Sequence, residues 1–252
     1  VVDAGVRSYE FRPVIDRWMV GITMLQTTTM GAGGGSIASI NALLNRLEVG
    51  PRSAGAMPGP VCYDLGGVEP TVTDADVVLG YISPDNYFSG RMPLNAKKAR
   101  AAIEEKIAQP LAISVDEAAA MIRNIVEENM ASAIKREVHL RGYHPEDFAI
   151  FAFGGGGPTH VAGYRADVPV AVIFPQAPVF CALGSSVMDI MHVYEVSKRM
   201  VFMAPATQAL SSDYAGFNEA VQGLMAHARI DIAAEGFALD SIIFQVELDM
   251  LY

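Results

Sequence analysis

Cationic side chains are scarce in this chain. Its 18 Lys and Arg stand against 28 Asp and Glu, a formal charge of −10 over 252 residues. That balance argues against a nucleic-acid backbone or an anionic membrane as main partner, since both demand clustered positive charge. Cysteine is nearly absent: Cys62 and Cys181 lie far apart without metal-ligand spacing. No disulfide framework is therefore expected, and a reducing, cytoplasmic compartment is the natural setting. No stretch approaches the roughly 20 uncharged apolar residues of a membrane span. The start, Val1-Val2-Asp3-Ala4, has neither methionine nor a signal-peptide pattern, and the end, from Phe244 to Tyr252, reads as an unfinished alternating strand. The expectation is a piece of a longer polypeptide. Internal repeats and low-complexity tracts are also lacking. Apolar side chains, by contrast, make up 51% of the chain and mean hydropathy is +0.27, enough for a substantial core in one large or two smaller domains.

Glycine is concentrated where it carries information. The run Thr27-Thr28-Thr29-Met30-Gly31-Ala32-Gly33-Gly34-Gly35-Ser36-Ile37-Ala38 leads into an alternating β-type segment. Residues without a Cβ let backbone N–H groups converge on an anion such as phosphate, although a tight hairpin or a close backbone crossing needs the same residues. A second cluster, Phe153-Gly154-Gly155-Gly156-Gly157-Pro158-Thr159-His160, follows an apolar run and opens a helix-like segment. Two such turns in one chain favour a nucleotide held from two sides.

The intervening pattern is α/β. Ser36–Asn41 and Arg46–Val49 are expected to pair as a hairpin around Leu43-Leu44-Asn45. The stretch 50–67 is crowded with Gly, Pro and Ala and reads as an ordered loop. Thr73 or Asp74 is expected to cap a short helix through Leu79, and helices are expected over Ala96–Ile107 and Ser114–Leu140. The last begins with Ser114-Val115-Asp116-Glu117, a capping box, and ends at Gly142. Its Ala118, Met121, Ile122, Ile125, Val126, Met130, Ala133 and Ile134 recur at helical spacing and predict the core face. Phe148–Phe153 reads as a strand covered on both faces. A helix through about Arg165 and a strand over Pro169–Phe174 complete a β–loop–α–β unit. A helix near Phe180–Met188, a strand near Val193–Phe202, a helix from about Ser212 to Glu235 and a terminal strand follow. The expected class is α/β with a largely parallel sheet in the second half. The expected segments are 1–95 (glycine hairpin and Gly/Pro loop), 96–145 (helical insertion), 146–205 (β–glycine loop–α–β unit) and 206–252 (start of a further α/β segment).

Three glycine-loop chemistries compete. A P-loop needs Lys-Ser/Thr after its last glycine, and neither turn has it. A dinucleotide fold needs G-x-G-x-x-G and an acid at the next strand's end; here Thr159 stands sixth and Phe174-Pro175-Gln176 supplies no acid. The two-lobed ATP site of the actin, Hsp70 and sugar-kinase type, with two glycine turns separated by a helical insertion, fits best. The expected fold is the second-lobe portion of such an ATPase.

Five ordered segments carry a family resemblance: Gly31 to Ala38, Val49-Gly50-Pro51-Arg52-Ser53-Ala54-Gly55, Pro58-Gly59-Pro60-Val61-Cys62-Tyr63, Pro70-Thr71-Val72-Thr73-Asp74-Ala75, and Phe153 to His160. Together they resemble the hydantoinase A/5-oxoprolinase family over about residues 25–200, and the Thr-Thr-Thr-Met approach is similar to the ATP-binding subunit of acetone or acetophenone carboxylases. The resemblance implies ATP-driven opening of a cyclic amide or carboxylation of a ketone. It implies ATP and Mg2+ as cofactors, a hydantoinase B-like partner subunit and a small third subunit, and it admits Mn2+ or Zn2+ in a partner. A non-catalytic assembly subunit is the reading of another class. The family's first phosphate loop, an Asp-x-Gly-Gly-Thr type turn, is absent, and Gln26 stands near the place of an acid often found before the second loop.

Individual residues follow. Gly33, Gly34, Gly35 and Ser36 are candidates for the phosphate side, and Gly154, Gly155, Gly156, Gly157, Pro158 and Thr159 for the adenosine side. Arg52 is the best cation for a phosphate or carboxylate, since its fork pairs bidentately. Asp74 is either a helix cap or a catalytic residue that coordinates Mg2+ through water or orients a nucleophile, and His160 is either a buried hydrogen-bonded residue or a catalytic one that touches phosphate or serves as acid/base. Asp76 is a candidate for Mg2+, and Asp189 with His192, at i, i+3, for a metal pair.

Overall fold

The structure, a computed structural model, describes residues 2–3, 6–7, 9–10, 12–22, 24–41, 43–200 and 214–248. The chain divides into two compact units, Val1–Val187 and Met188–Tyr252. The described residues form a mixed α/β structure. Before the glycine run the described residues form two-residue antiparallel ladders, such as Val14–Ile15 with Trp18–Met19.

The hairpin pairs β1 (Ser36–Asn41) with β2 (Arg46–Ser53) antiparallel. Its turn is held by Asn41, whose side-chain oxygen accepts the backbone N–H groups of Leu43 and Leu44 at 3.0 and 3.2 Å, as Asx turns do. β2 runs four residues beyond the expected Val49, through an irregularity between Ser36 and Ala38 of its partner. The other edge of β1 meets Pro70 and Thr71: the Ala38 N–H donates to the Pro70 carbonyl at 2.8 Å.

Helix α1 (Val72–Val78) starts earlier than Thr73 or Asp74 would place it. Thr71 is the cap: its hydroxyl accepts the Asp74 N–H while Asp74 returns a carboxylate oxygen to the Thr71 N–H, a reciprocal capping box. Helix α2 (Ala96–Ile103) widens into a π turn over Glu104–Ala108. Helix α3 (Val115–Leu140) has the Ser114/Glu117 capping box and stops before Gly142 at φ +79°. Apolar side chains from the hairpin, α1, α2 and α3 form one core, with Ala38, Val72, Ile103, Ile122 and Val126 at its centre. Met121 is an exception to the periodic reading of α3: it is 40% exposed, while Arg123 and Glu127 are buried.

The β–loop–α–β unit consists of β3 (Ala149–Ala152), α4 (Gly156–Tyr164) and β4 (Val170–Ile173), with β3 and β4 parallel. This is the one parallel pair among the described residues. Ala152 packs with Ala131, Val161 and Tyr164, but Phe151, one residue away and hence on the opposite face, is 60% exposed. The apolar run is thus covered on one side, not two, because no second layer is built against it by the described residues. Helix α5 (Phe180–Val187) follows.

In the second unit the expected strand near Val193–Phe202 is not formed over 193–200, and 201–202 lie outside the described residues. The same holds for the terminal strand expected from Phe244 to Tyr252: none is formed over 244–248, and 249–252 lie outside. Alternation sets which side chains share a face, but a strand also needs a hydrogen-bonded neighbour, and these segments have none among the described residues. Helix α6 (Tyr214–Ala234) is present; Ser212 and Asp213 lie outside. Lys198 bonds Glu219 at 2.9 Å and Tyr194 bonds Asp231 at 2.8 Å, tying 188–200 to α6.

Candidate functional site

The first glycine turn closes on itself. The Gly33 N–H donates to the Ser36 hydroxyl at 3.0 Å, and the Ser36 N–H to the Gly33 carbonyl at 3.0 Å. The Gly34 carbonyl accepts both the N–H and the hydroxyl of Thr73 on α1, at 2.8 and 2.9 Å. A Cβ on Gly34 would sit 2.6 Å from the Thr73 hydroxyl, and one on Gly35 2.8 Å from the Ser53 hydroxyl. Those two glycines therefore answer to packing. Gly33 faces open space. The second turn differs: Gly154 has φ +80°, and at Gly154, Gly155 and Gly156 a Cβ would meet nothing within 4 Å. Gly155 is the cap of α4 and makes no side-chain cap bond, so among the described residues the first N–H groups of that helix have no capping side chain, a setting suited to an anion.

Asp74 is fully buried and saturated. One carboxylate oxygen accepts the Cys62 N–H at 2.7 Å; the other accepts the Val61 N–H at 3.1 Å and the N–H and hydroxyl of Thr71, both at 2.8 Å. The carboxylate joins the 3-10 turn Val61–Tyr63 to the start of α1. Burial, and then the Asp74 charge, push the Cys62 thiol well above its ordinary range, so it is inert as a nucleophile.

Two residues further along α1, Asp76 enters a buried ionic cluster. Its Oδ1 lies 2.5 Å from Nη1 of Arg123 on α3, and its Oδ2 lies 3.0 Å from Nε2 of His160 on α4. Arg123 Nη2 is 2.8 Å from Glu127 Oε1 and donates to the Thr159 carbonyl at 2.6 Å. The guanidinium carbon stands 3.8 Å from the Tyr81 ring centroid. His160 Nδ1 is 3.1 Å from Glu127 Oε1. Both ring nitrogens of His160 thus face carboxylate oxygens, an arrangement only the imidazolium satisfies with two donors. Burial, the largest influence, pulls the His160 pKa down. The hydrogen bond and charge of Asp76, with the Glu127 hydrogen bond, outweigh it and leave the value raised despite Arg123.

A pH dependence of stability follows. The unfolded chain releases the imidazolium proton near pH 6.5, the folded chain only above that. The stabilisation is complete below about pH 6.5 and is lost as pH rises through the raised value. The urea midpoint is expected to be lower at about pH 8 than at about pH 6.5, and the difference to shrink in His160→Asn. A midpoint that climbs over this interval contradicts the cluster's charge state.

Other expected residues are dispersed. Arg52 lies on β2, exposed and without an ion-pair partner among the described residues. Pro158 and Thr159 sit in the first turns of α4, where the Thr159 hydroxyl donates to the Gly155 carbonyl at 3.1 Å. Asp189 is exposed, and His192 pairs with Glu235 at 3.2 Å in the second unit. Among the described residues no three His, Cys, Asp or Glu side chains gather as a metal-holding group. Asp76 already has both oxygens engaged by cations. Arg123, Glu127 and Tyr81 escaped the sequence reading. The signal for the first two was their place one residue after the core positions Ile122 and Val126.

The family model described as hydantoinase/oxoprolinase matches residues 1–194. The chain belongs to that family. It is 66% identical to the acetophenone carboxylase gamma subunit of Aromatoleum aromaticum over 252 residues, all of this chain and 34% of that protein. It is 39% identical to the caprolactamase subunit alpha of Pseudomonas jessenii, over 94% of this chain and 34% of that one. A nucleotide-free structure of acetone carboxylase superposes with a TM-score of 0.74 at 26% identity, covering 94% of this chain and 34% of the other. The chain thus spans about a third of the length of these relatives. Among its described residues no helix is long and apolar enough to cross a membrane.

Proposed function

We propose that this hydantoinase/oxoprolinase chain handles ATP in a ketone carboxylase, as part of an enzyme with a hydantoinase B-like partner subunit and a small third subunit. The observation that carries the reading is the 66% identity, over the whole chain, to an acetophenone carboxylase subunit. A cyclic amide as substrate is the second reading, supported by the caprolactamase relative at 39% identity. The fold proposed is a second lobe of the actin and sugar-kinase type, with 96–145 as the helical insertion.

Open space beside Gly33, Gly155 and Gly156 fits a triphosphate and a flat base approaching backbone. In this reading the Gly33–Ser36 turn holds phosphate, Gly154–Thr159 packs on adenosine, and Arg52 is the cation for a phosphate or carboxylate. ATP supplies the activation of a poorly electrophilic group. Mg2+ is assigned no protein ligand here, since Asp74 and Asp76 are occupied; phosphate oxygens and water suit its habits. Asp74 and His160, both sealed from solvent, act as positioning residues.

Two measurements test this. Mg-ATP titrated calorimetrically into the complete enzyme is expected to release or absorb heat, and ketone consumption is expected to require bicarbonate as well as ATP. Ring opening of a lactam or hydantoin without bicarbonate overturns the carboxylase reading; absence of any ATP binding favours an assembly subunit. Gly156→Ala is a sharper probe. A Cβ there meets nothing in the protein, so stability should hold or rise by up to about 1 kcal/mol. Mg-ATP affinity should fall by about tenfold if the base lies on that backbone. Unchanged affinity removes Gly156 from the site.

A further inference from the structure

We infer that Arg123 is a positioning residue that fixes the two glycine turns relative to each other, by clamping the second turn onto the helix that already holds the first. It rests on the nucleotide reading above and adds a residue that the reading did not need. The route is continuous. The Gly34 carbonyl of the first turn is held by both donors of Thr73. Thr73 is three residues before Asp76 on α1, one turn of the same rigid helix. Asp76 binds Arg123 Nη1 at 2.5 Å, and Arg123 Nη2 binds the Thr159 carbonyl at 2.6 Å. Thr159 in turn gives its hydroxyl to the Gly155 carbonyl.

A carboxylate and a carbonyl on different helices, with Glu127 as third acceptor, match the planar fork of a guanidinium. A lysine ammonium keeps the charge but cannot span that set while lying on Tyr81. The buried ion pairs alone would explain a stable packing of α1, α3 and α4. What packing does not explain is that the fork also takes the Thr159 carbonyl, in the first turn of the helix that opens from the glycine turn proposed to face adenosine. Each turn can still meet its own end of ATP when the clamp is loosened, so binding should persist. The alignment between the ends should suffer, and alignment is what the chemical step feels.

The test uses the complete enzyme with its partners, counting functional ATP sites by calorimetry and measuring kcat per site and KM for Mg-ATP. Arg123→Lys is expected to lower kcat per site by about tenfold while KM moves less than about threefold. Tyr81→Leu guards against misfolding, since Tyr81 is 61% exposed; it should lower kcat per site by about threefold, with KM near that of the wild type. A purely structural role reduces the number of sites and leaves kcat per site unchanged. That outcome, in whichever variants fold, overturns the inference alone. Absence of ATP turnover in the wild-type enzyme overturns the nucleotide reading and this inference with it.

Discussion

Gly163→Ala is expected to destabilise the chain by about 3 kcal/mol or more, although it adds one methyl group to a helix and alanine is the better helix former. Gly163 lies on α4, and a Cβ built there falls 1.9 Å from Oε2 and 2.2 Å from Cδ of Glu127. The carboxylate must move. A surface glutamate would swing aside at little cost, but this one is buried, paired with Arg123 and bonded to His160. Its displacement leaves the guanidinium and the imidazolium sharing Asp76 alone. Breaking a buried charge pair by losing one partner costs roughly 3–5 kcal/mol, because the remaining charge stays in a poor solvent. The measurement is the urea midpoint of Gly163→Ala beside Gly156→Ala, the same exchange on the same helix into open space. A large drop in the first and none in the second is expected. Equal midpoints would show that Glu127 relaxes freely and that the cluster is looser than its distances suggest. Gly163→Ala combined with Glu127→Ala should recover part of the loss, since the clash goes with the carboxylate; residual loss then measures what Glu127 contributes to Arg123 and His160.

The sequence disclosed features governed by local rules. The hairpin was legible because Leu43-Leu44-Asn45 interrupts two alternating segments, and α3 because Ser114 and Glu117 form a cap that depends on neighbours three residues apart. The family was legible from five ordered motifs and is shown by the comparisons. The buried cluster obeyed no local rule. Arg123 and Glu127 stand at i, i+4 with opposite charge, the pattern of a solvent-facing ion pair, and only Asp76 and His160, 47 and 33 residues away from their respective partners, turn it inward. Gly163 was silent for the same reason: its need for hydrogen in place of a side chain is dictated by Glu127, on another helix. The exposed Phe151 marks a further limit, since an apolar run states that a strand can be covered on both faces and says nothing of what covers it.

Asp74 separates the two meanings an acid next to a glycine site can have, and its substitution gives the second large effect. Asp74→Asn is expected to lower stability by about 3 kcal/mol while leaving kcat per folded site within about twofold. The carboxylate accepts four donors at 2.7 to 3.1 Å and donates nothing. An asparagine can accept with one atom only; its amide nitrogen, placed at either oxygen, points hydrogens at a backbone N–H that then loses its acceptor while buried. Hydrogen bonds to a charged acceptor contribute roughly 1.5–3 kcal/mol each, and a buried orphan donor costs a further 1–3. The loss should be read where the bonds are: amides of Val61, Cys62 and Thr71 should gain hydrogen exchange before those of α3. Were Asp74 instead the acid or base of the reaction, Asn would abolish turnover in molecules that remain folded, and the fall in kcat per site would reach the 10²–10⁴ range typical of removing such a group. A fully buried carboxylate that already accepts four protein donors, one on Oδ1 and three on Oδ2, faces its own backbone and Thr71 and not a reacting atom, which is why the smaller kinetic effect and the larger structural one are expected together.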